Sequence, residues 1–169
     1  MVKQLGFYYD KTKCVRCLGC EVACKVTNKV EPGIKFRWIS DIWSGNFPNV
    51  KRSYFSNSCL HCQNPTCMAA CPTGAITKRA EDGIVVVNQE KCNGCRDCFK
   101  ACPYGIPQFG KDGKMQKCDY CVSRGGDPAC AQTCPGDAIT YGDINDLLTK
   151  MKGSKQMDGK TKPSIIIKG

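Results

Sequence analysis

Cys92-Asn93-Gly94-Cys95-Arg96-Asp97-Cys98-Phe99-Lys100-Ala101-Cys102-Pro103 sets four cysteines two, two and three residues apart and ends on proline. Upstream, Cys14, Cys17, Cys20 and Cys24 repeat that spacing, with Lys25 where the proline would stand. Cys59, Cys62, Cys67 and Cys71 widen the middle gap to four residues, and Cys118, Cys121, Cys130 and Cys134 widen it to eight. Both of these end on proline, Pro72 and Pro135. The quartets use all 16 cysteines of the 169-residue chain. Without them the 41% hydrophobic content falls to roughly 31%, thin for a domain of this size. With 17 glycines and 9 prolines, the chain suits short turns better than long helices. Cysteine is the only other residue abundant enough to hold such a chain together.

Three thiolates spaced by two residues can take three corners of a cube from one tight loop, the pattern of a [4Fe–4S] site. Four Cys₄ zinc sites would consume the same sixteen cysteines, but zinc ribbons use two separated CxxC pairs rather than one CxxCxxCxxxCP run. Disulfides suit secreted scaffolds, and Met1-Val2-Lys3-Gln4-Leu5-Gly6 has neither the apolar core nor the cleavage site of a secretory signal. The reading is therefore iron–sulfur, with all sixteen cysteines as metal ligands and folding coupled to cluster insertion.

The first quartet resembles the third, and the second resembles the fourth. Cys71-Pro72-Thr73-Gly74-Ala75-Ile76-Thr77 matches Cys134-Pro135-Gly136-Asp137-Ala138-Ile139-Thr140. Before both the first and third quartets, a short apolar strand leads to Asp10 or Asn88, four residues ahead of the leading cysteine. The chain reads as a duplicated α+β unit, two bacterial-ferredoxin-like two-cluster modules related by a pseudo-two-fold. Residues 59–102 form the inner module, with a strand–turn–strand link over Gly74–Thr77, Glu81–Gly83 and Ile84–Val87. Residues 1–24 and 103–142 form the outer one. In two-cluster ferredoxins the fourth cysteine of a run binds the other cluster. The expected sets are Cys14, Cys17, Cys20 and Cys134 for cluster one, and Cys118, Cys121, Cys130 and Cys24 for cluster two. Cluster three takes Cys59, Cys62, Cys67 and Cys102, and cluster four Cys92, Cys95, Cys98 and Cys71.

Residues 25–58 contain no cysteine and read as a β-rich insertion. Ile34–Ile39 alternates, turn signals follow at Trp43–Pro48, and Val50–Phe55 follows as the return strand. Its aromatics serve equally well as cover for the core or as a docking surface. Residues 143–169 carry a helix signal over Asp143–Lys152, with Ile144, Leu147, Leu148 and Met151 on one face, then a strand at Pro163–Ile167. His61, the only histidine, reads as a hydrogen-bonding or surface residue because four cysteines already complete each cluster. No nucleophile–base set, phosphate loop or dinucleotide fingerprint is present, so the chain reads as non-catalytic. The formal charge is +10. Thiolates contribute about −16 and four oxidised cores about +8, which leaves the loaded protein near +2. Lys111, Lys114 and Lys117 then read as a solvated surface rather than a nucleic-acid site. No run reaches the length of a membrane span.

Residues 7–142 resemble the four-cluster iron–sulfur subunit of the dimethyl sulfoxide reductase family of molybdenum enzymes. Similar subunits occur in thiosulfate and polysulfide reductases and formate dehydrogenases. The match lies in Cys14–Cys24, Cys59-Leu60-His61-Cys62, Cys92–Cys98 and Cys118-Asp119-Tyr120-Cys121. Some relatives replace one third-quartet cysteine and hold a [3Fe–4S] cluster; Cys95 is kept here, which implies four cubanes. The resemblance implies an electron-transfer subunit between a molybdenum- or tungsten-pterin catalytic subunit and a second redox partner. That partner would be a quinone-reactive membrane subunit, a flavoprotein or a ferredoxin. Rival readings are the small subunit of a tungsten aldehyde oxidoreductase, a free soluble polyferredoxin and a zinc-binding nucleic-acid protein. The expected location is cytoplasmic, or at a membrane or exported together with partners. A globule of this length has a radius of gyration of about 15 Å, so four clusters within it stand on the order of 10 Å apart, within tunnelling range.

Overall fold

A computed structural model describes residues 3–169. In chain order the elements are β1 (Leu5–Asp10), α1 (Gly19–Thr27), β2 (Arg37–Ser44), β3 (Lys51–Ser58), α2 (Thr66–Ala69), β4 (Ile76–Lys78) and β5 (Val85–Val87). There follow α3 (Asp97–Ala101), β6 (Gln108–Phe109), β7 (Met115–Gln116), α4 (Ala129–Gln132), β8 (Ile139–Asp143), α5 (Ile144–Lys150), β9 (Lys155–Gln156) and β10 (Ile165–Lys168). This mixture of short helices and small sheets is a ferredoxin-like α+β architecture. None of the described helices is long and apolar enough to cross a membrane.

The principal sheet runs β8-β1-β10-β9. β1 pairs antiparallel with β8, Phe7 facing Tyr141 and Tyr9 facing Ile139, and parallel with β10, Phe7 facing Ile165. The C-terminal strand is thus internal, held by the chain's own first strand. Side chains alternate across β1 as a pleat requires. Phe7 and Tyr9 enter the cysteine-lined core with Ile139 and Ile165, while Tyr8 packs with Ile166 against Ile144 and Leu147 of α5. The Asp143 carboxylate caps α5 by accepting from Asn145 N at 2.9 Å. Leu148, expected on the buried face, is instead partly exposed.

β4 and β5 form a hairpin in the register Ile76–Val87 and Lys78–Val85. β2 and β3 form a longer one, from Arg37–Ser58 to Ser44–Lys51, with Phe47 and Trp43 exposed at its far end. Asp41 on β2 pairs with Arg16 at 2.9 Å and Arg52 at 2.8 Å, and Tyr9 Oη donates to the Tyr54 carbonyl at 2.9 Å. The Arg16–Asp41 pair holds the hairpin against the first-quartet loop, and the Tyr9 bond ties it to β1.

Proline sets helix length. Where Cys102 precedes Pro103, α3 ends after five residues, because a residue before proline is driven out of the helical region. Cys24 precedes Lys25, and α1, nine residues in all, runs on to Thr27 with Asn28 as its C-cap.

Opposite each other on β1 and β8, Gly6 and Gly142 make a controlled pair. A Cβ on Gly6 would collide with the Ile144 side chain and the Ser164 carbonyl, whereas one on Gly142 would meet Leu147 at an ordinary 3.6 Å. Gly6→Ala should therefore cost about 1–3 kcal/mol through overpacking. Gly142→Ala should stay within about 0.5 kcal/mol of the parent. Denaturant titration of the cluster-loaded protein, followed by visible absorbance and circular dichroism, checks both; equal effects would contradict the packing described.

Candidate functional site

The quartet loops share a backbone device. In the leading CxxC pair of each quartet the residue before the second cysteine has positive φ: Arg16 at 58°, His61 at 39°, Gly94 at 73° and Tyr120 at 57°. At Gly94 a Cβ would press on the Gly113 carbonyl, which explains glycine there. Three residues past the fourth cysteine the left-handed turn recurs, at Gly74, Gly105 and Asp137. Such alternation turns successive N–H groups toward one concavity, an anion-binding arrangement. Three amides already meet sulfur: Met115 N donates to Cys92 Sγ at 3.4 Å, Tyr120 N to Cys118 Sγ at 3.4 Å and Ala138 N to Cys134 Sγ at 3.3 Å.

Side-chain turns set the approach to Cys14 and Cys92, the leading cysteines of the first and third quartets. Asp10 Oδ1 accepts from Thr12 N at 3.0 Å and Thr12 Oγ1 at 2.6 Å, and Asn88 Oδ1 accepts from Glu90 N at 2.8 Å. Burial would raise the Asp10 carboxyl, but the Thr12 and Tyr8 hydrogen bonds outweigh it and hold it below its usual range.

Thiols from remote segments face common cavities. One is lined by Cys14, Cys17, Cys20 and Cys134. A second is lined by Cys59, Cys62, Cys67 and Cys102, and a third by Cys71, Cys92, Cys95 and Cys98. In each, three thiols come from one quartet and the fourth from another. The remaining four, Cys24, Cys118, Cys121 and Cys130, are all buried. Packing of α1 on α4 brings Cys24 toward Cys130. Asn28 Nδ2 spans Cys24 Sγ at 3.7 Å and Cys121 Sγ at 3.8 Å.

The donor chemistry fits a multinuclear iron–sulfur group. Burial, then the neighbouring Cys130, pushes the Cys24 thiol up to about 12; burial and Cys59 push Cys67 up to about 12; and burial and Cys95 push Cys98 up to about 11. Four thiolates cannot be gathered in such places without a cationic core between them. Among the described residues no three His, Cys, Asp or Glu donors converge as a single ion would need. Cavities ringed by four thiols match a larger group, for which thiolate is the ordinary ligand.

Two polar residues depart from the sequence reading, and a third, His61, meets its hydrogen-bonding alternative. His61 is fully buried rather than at the surface. Its Nδ1 accepts from Val85 N at 3.0 Å, and its ring lies 3.8 Å from that of Tyr120, the corresponding residue of the fourth quartet. Burial, then the charge of Lys117, holds it neutral. Lys117, expected in solvent, is also buried; its ammonium donates to the Val85 carbonyl and to the Cys118 carbonyl at 2.9 Å. Arg37 sits where β2 enters the core, with Nη1 on Ser56 Oγ at 2.6 Å and Nη2 on Ser58 Oγ at 3.1 Å. Alternation with Ile34, Phe36 and Trp38 predicts it on the polar side of its strand. Ser56 and Ser58, alternate residues on the opposing strand, are the local signal of a polar inward-facing site.

Residues 50–144 match the family of the 4Fe-4S dicluster domain. YnfG of Escherichia coli, a probable anaerobic dimethyl sulfoxide reductase component, is 40% identical, over 99% of this chain and 90% of the relative. The B subunit of the anaerobic dimethyl sulfoxide reductase of Haemophilus influenzae is 41% identical, over 88% of this chain and 78% of its own. Protein NrfC of Escherichia coli is 39% identical, over 83% and 66% respectively. Identity of this extent, spread over nearly the whole chain and joined to thiol-lined cavities that suit iron–sulfur groups, places the chain in the family of iron–sulfur electron-transfer subunits of the dimethyl sulfoxide reductases.

Proposed function

We propose that the chain holds four [4Fe–4S] clusters and conducts electrons between a molybdenum- or tungsten-pterin catalytic subunit and a second redox partner, without catalysing a reaction itself. The observation that carries the reading is the lining of the cavities, in which the fourth cysteine of one quartet joins three of another. The clusters supply one-electron carriers when bound. The chain's own residues set their spacing, exclude water and aim amides at sulfur.

The four-thiol groups adjoin one another as a row. Arg37 faces Cys20 of the first group and Cys118 and Cys130 of the second. Tyr120 stands between Cys118 of the second and Cys59 of the third. Met115 lines both the cavity around Cys59 and the cavity around Cys92. A row of this kind supports serial transfer, in which burial and hydrogen bonds to sulfur tune each potential.

Two outcomes test the proposal. Cys24→Ser should damage the cluster held by Cys118, Cys121 and Cys130 rather than that of its own quartet. Electron paramagnetic resonance of Cys24→Ser and Cys118→Ser should therefore show loss of the same signal; loss shared instead with Cys14→Ser would refute the assignment. Cys62→Ser, which opens the row in its interior, should reduce physiological turnover of the assembled complex to background while dye-linked activity of the catalytic subunit survives. Undiminished turnover with that cluster demonstrably absent would refute the wire.

A further inference from the structure

Arg37 is only 3% exposed, and its guanidinium has no acidic partner. None of the ion pairs among the described residues includes it. Two nitrogens bond to neutral hydroxyls, of Ser56 and Ser58, and Nε has no partner at all. Its flat face lies over the Phe7 ring, 4.5 Å from the centroid. A guanidinium does not give up its proton in a protein, so this is a permanent buried charge. Burying such a charge without a counter-ion is strongly unfavourable. Of the groups beside it that could become anionic, the Tyr9 and Tyr120 hydroxyls are kept protonated by burial. The others are thiols, Cys130, Cys118 and Cys24 of one four-thiol group and Cys20 of the next. Ser56, bonded to Arg37, lies 3.8 Å from Cys20 Sγ, and Phe7 beneath the guanidinium packs in one buried cluster with Cys20, Cys118 and Cys130. The counter-charge that justifies Arg37 is therefore the thiolate shell of a loaded cluster.

We propose that Arg37 is a potential-setting residue, whose fixed charge raises the reduction potential of the cluster held by Cys24, Cys118, Cys121 and Cys130. This rests on the assignment of those four thiols to one [4Fe–4S] cluster. On reduction one electron enters the core, taking it from 2+ to 1+ and the cluster with its thiolates from −2 to −3. No bond breaks and no proton moves. Burial of all four cysteines disfavours the added negative charge and pulls the potential down. A cation at short range in the same dry region stabilises the more negative state more strongly and pulls it up. The second group in the row thereby stays within reach of its neighbours despite its burial. Asn28, whose amide reaches Cys24 Sγ and Cys121 Sγ, assists as a neutral donor.

The test is a dithionite redox titration of the cluster-loaded protein, followed by electron paramagnetic resonance, with iron and sulfide measured on every sample. Arg37→Met and Arg37→Gln should retain full cluster content and shift the midpoint of one signal downward. The expected change is tenfold or more in its reduction equilibrium, about 59 mV for a one-electron couple. Arg37→Lys, which keeps the charge, should stay close to the parent. Arg52→Met, which removes an exposed guanidinium already paired with Asp41, should leave all midpoints unchanged. Unchanged midpoints in both neutral variants, or an equal shift in Arg37→Lys, would overturn the proposal. So would loss of that cluster from both neutral variants, which would make Arg37 an assembly residue. If the shifting signal is instead the one removed by Cys14→Ser, the thiol assignment stands and the proposal falls; if Cys24→Ser and Cys118→Ser do not remove the same signal, the thiol assignment fails and takes the proposal with it.

Discussion

Cys134, at the end of α4, faces the same cavity as Cys14, Cys17 and Cys20, which follow β1. The rest of the chain is arranged to make and keep such encounters between thiols remote in sequence. Aliphatic side chains are too few to do this alone, and the largest core cluster counts Cys20, Cys59, Cys118 and Cys130 among its own members. Short helices stopped by proline, left-handed turns inside the CxxC pairs and Asx turns ahead of them hold the sulfur atoms toward shared centres. The principal sheet then ties both ends of the chain together. Ser164 N donates to the Leu60 carbonyl at 2.8 Å and Gln63 N to the Lys162 carbonyl at 2.9 Å, so the segment entering β10 pins the loop of the second quartet.

Because burial raises Cys20, Cys24, Cys62, Cys67, Cys98 and Cys118, the bare chain resists the charge pattern that cluster binding needs. Cys118, pushed well above its usual range by burial and by Cys130, is the extreme case. Cluster insertion and final packing are on this account one event, as in other small metal-dependent domains. The buried cations belong to the same balance of charge. Arg37 and Lys117 enter the interior where thiols are densest, and His61 stays neutral beside Lys117. Tyr120 and His61, in tilted ring contact, join the loops of the second and fourth quartets through residues at the same place in each CxxC pair.

The quartets were legible in the sequence because cluster ligation is local: three thiols in one loop leave a fixed spacing. So were the β4–β5 hairpin and the C-terminal helix and strand, whose periodicity and turn residues are equally local. Arg37 and Lys117 were not. A charged residue in an alternating strand or a lysine-rich loop normally faces water, and only partners far along the chain reverse that preference. For Lys117 those partners are the Val85 and Cys118 carbonyls. For Arg37 they include Cys118 and Cys130, outside the hairpin that carries it. The length of α1 was half legible: Lys25 in place of proline marks a departure, but that it brings Asn28 over Cys24 and Cys121 depends on how α1 packs against α4.

Counting iron and acid-labile sulfide on this chain alone, after anaerobic purification, tests the central claim most directly. Four cubanes on sixteen thiols predict about sixteen of each. A value near twelve iron would mean that one of the four-thiol groups holds no intact cubane, and about four zinc with no sulfide would contradict the account outright.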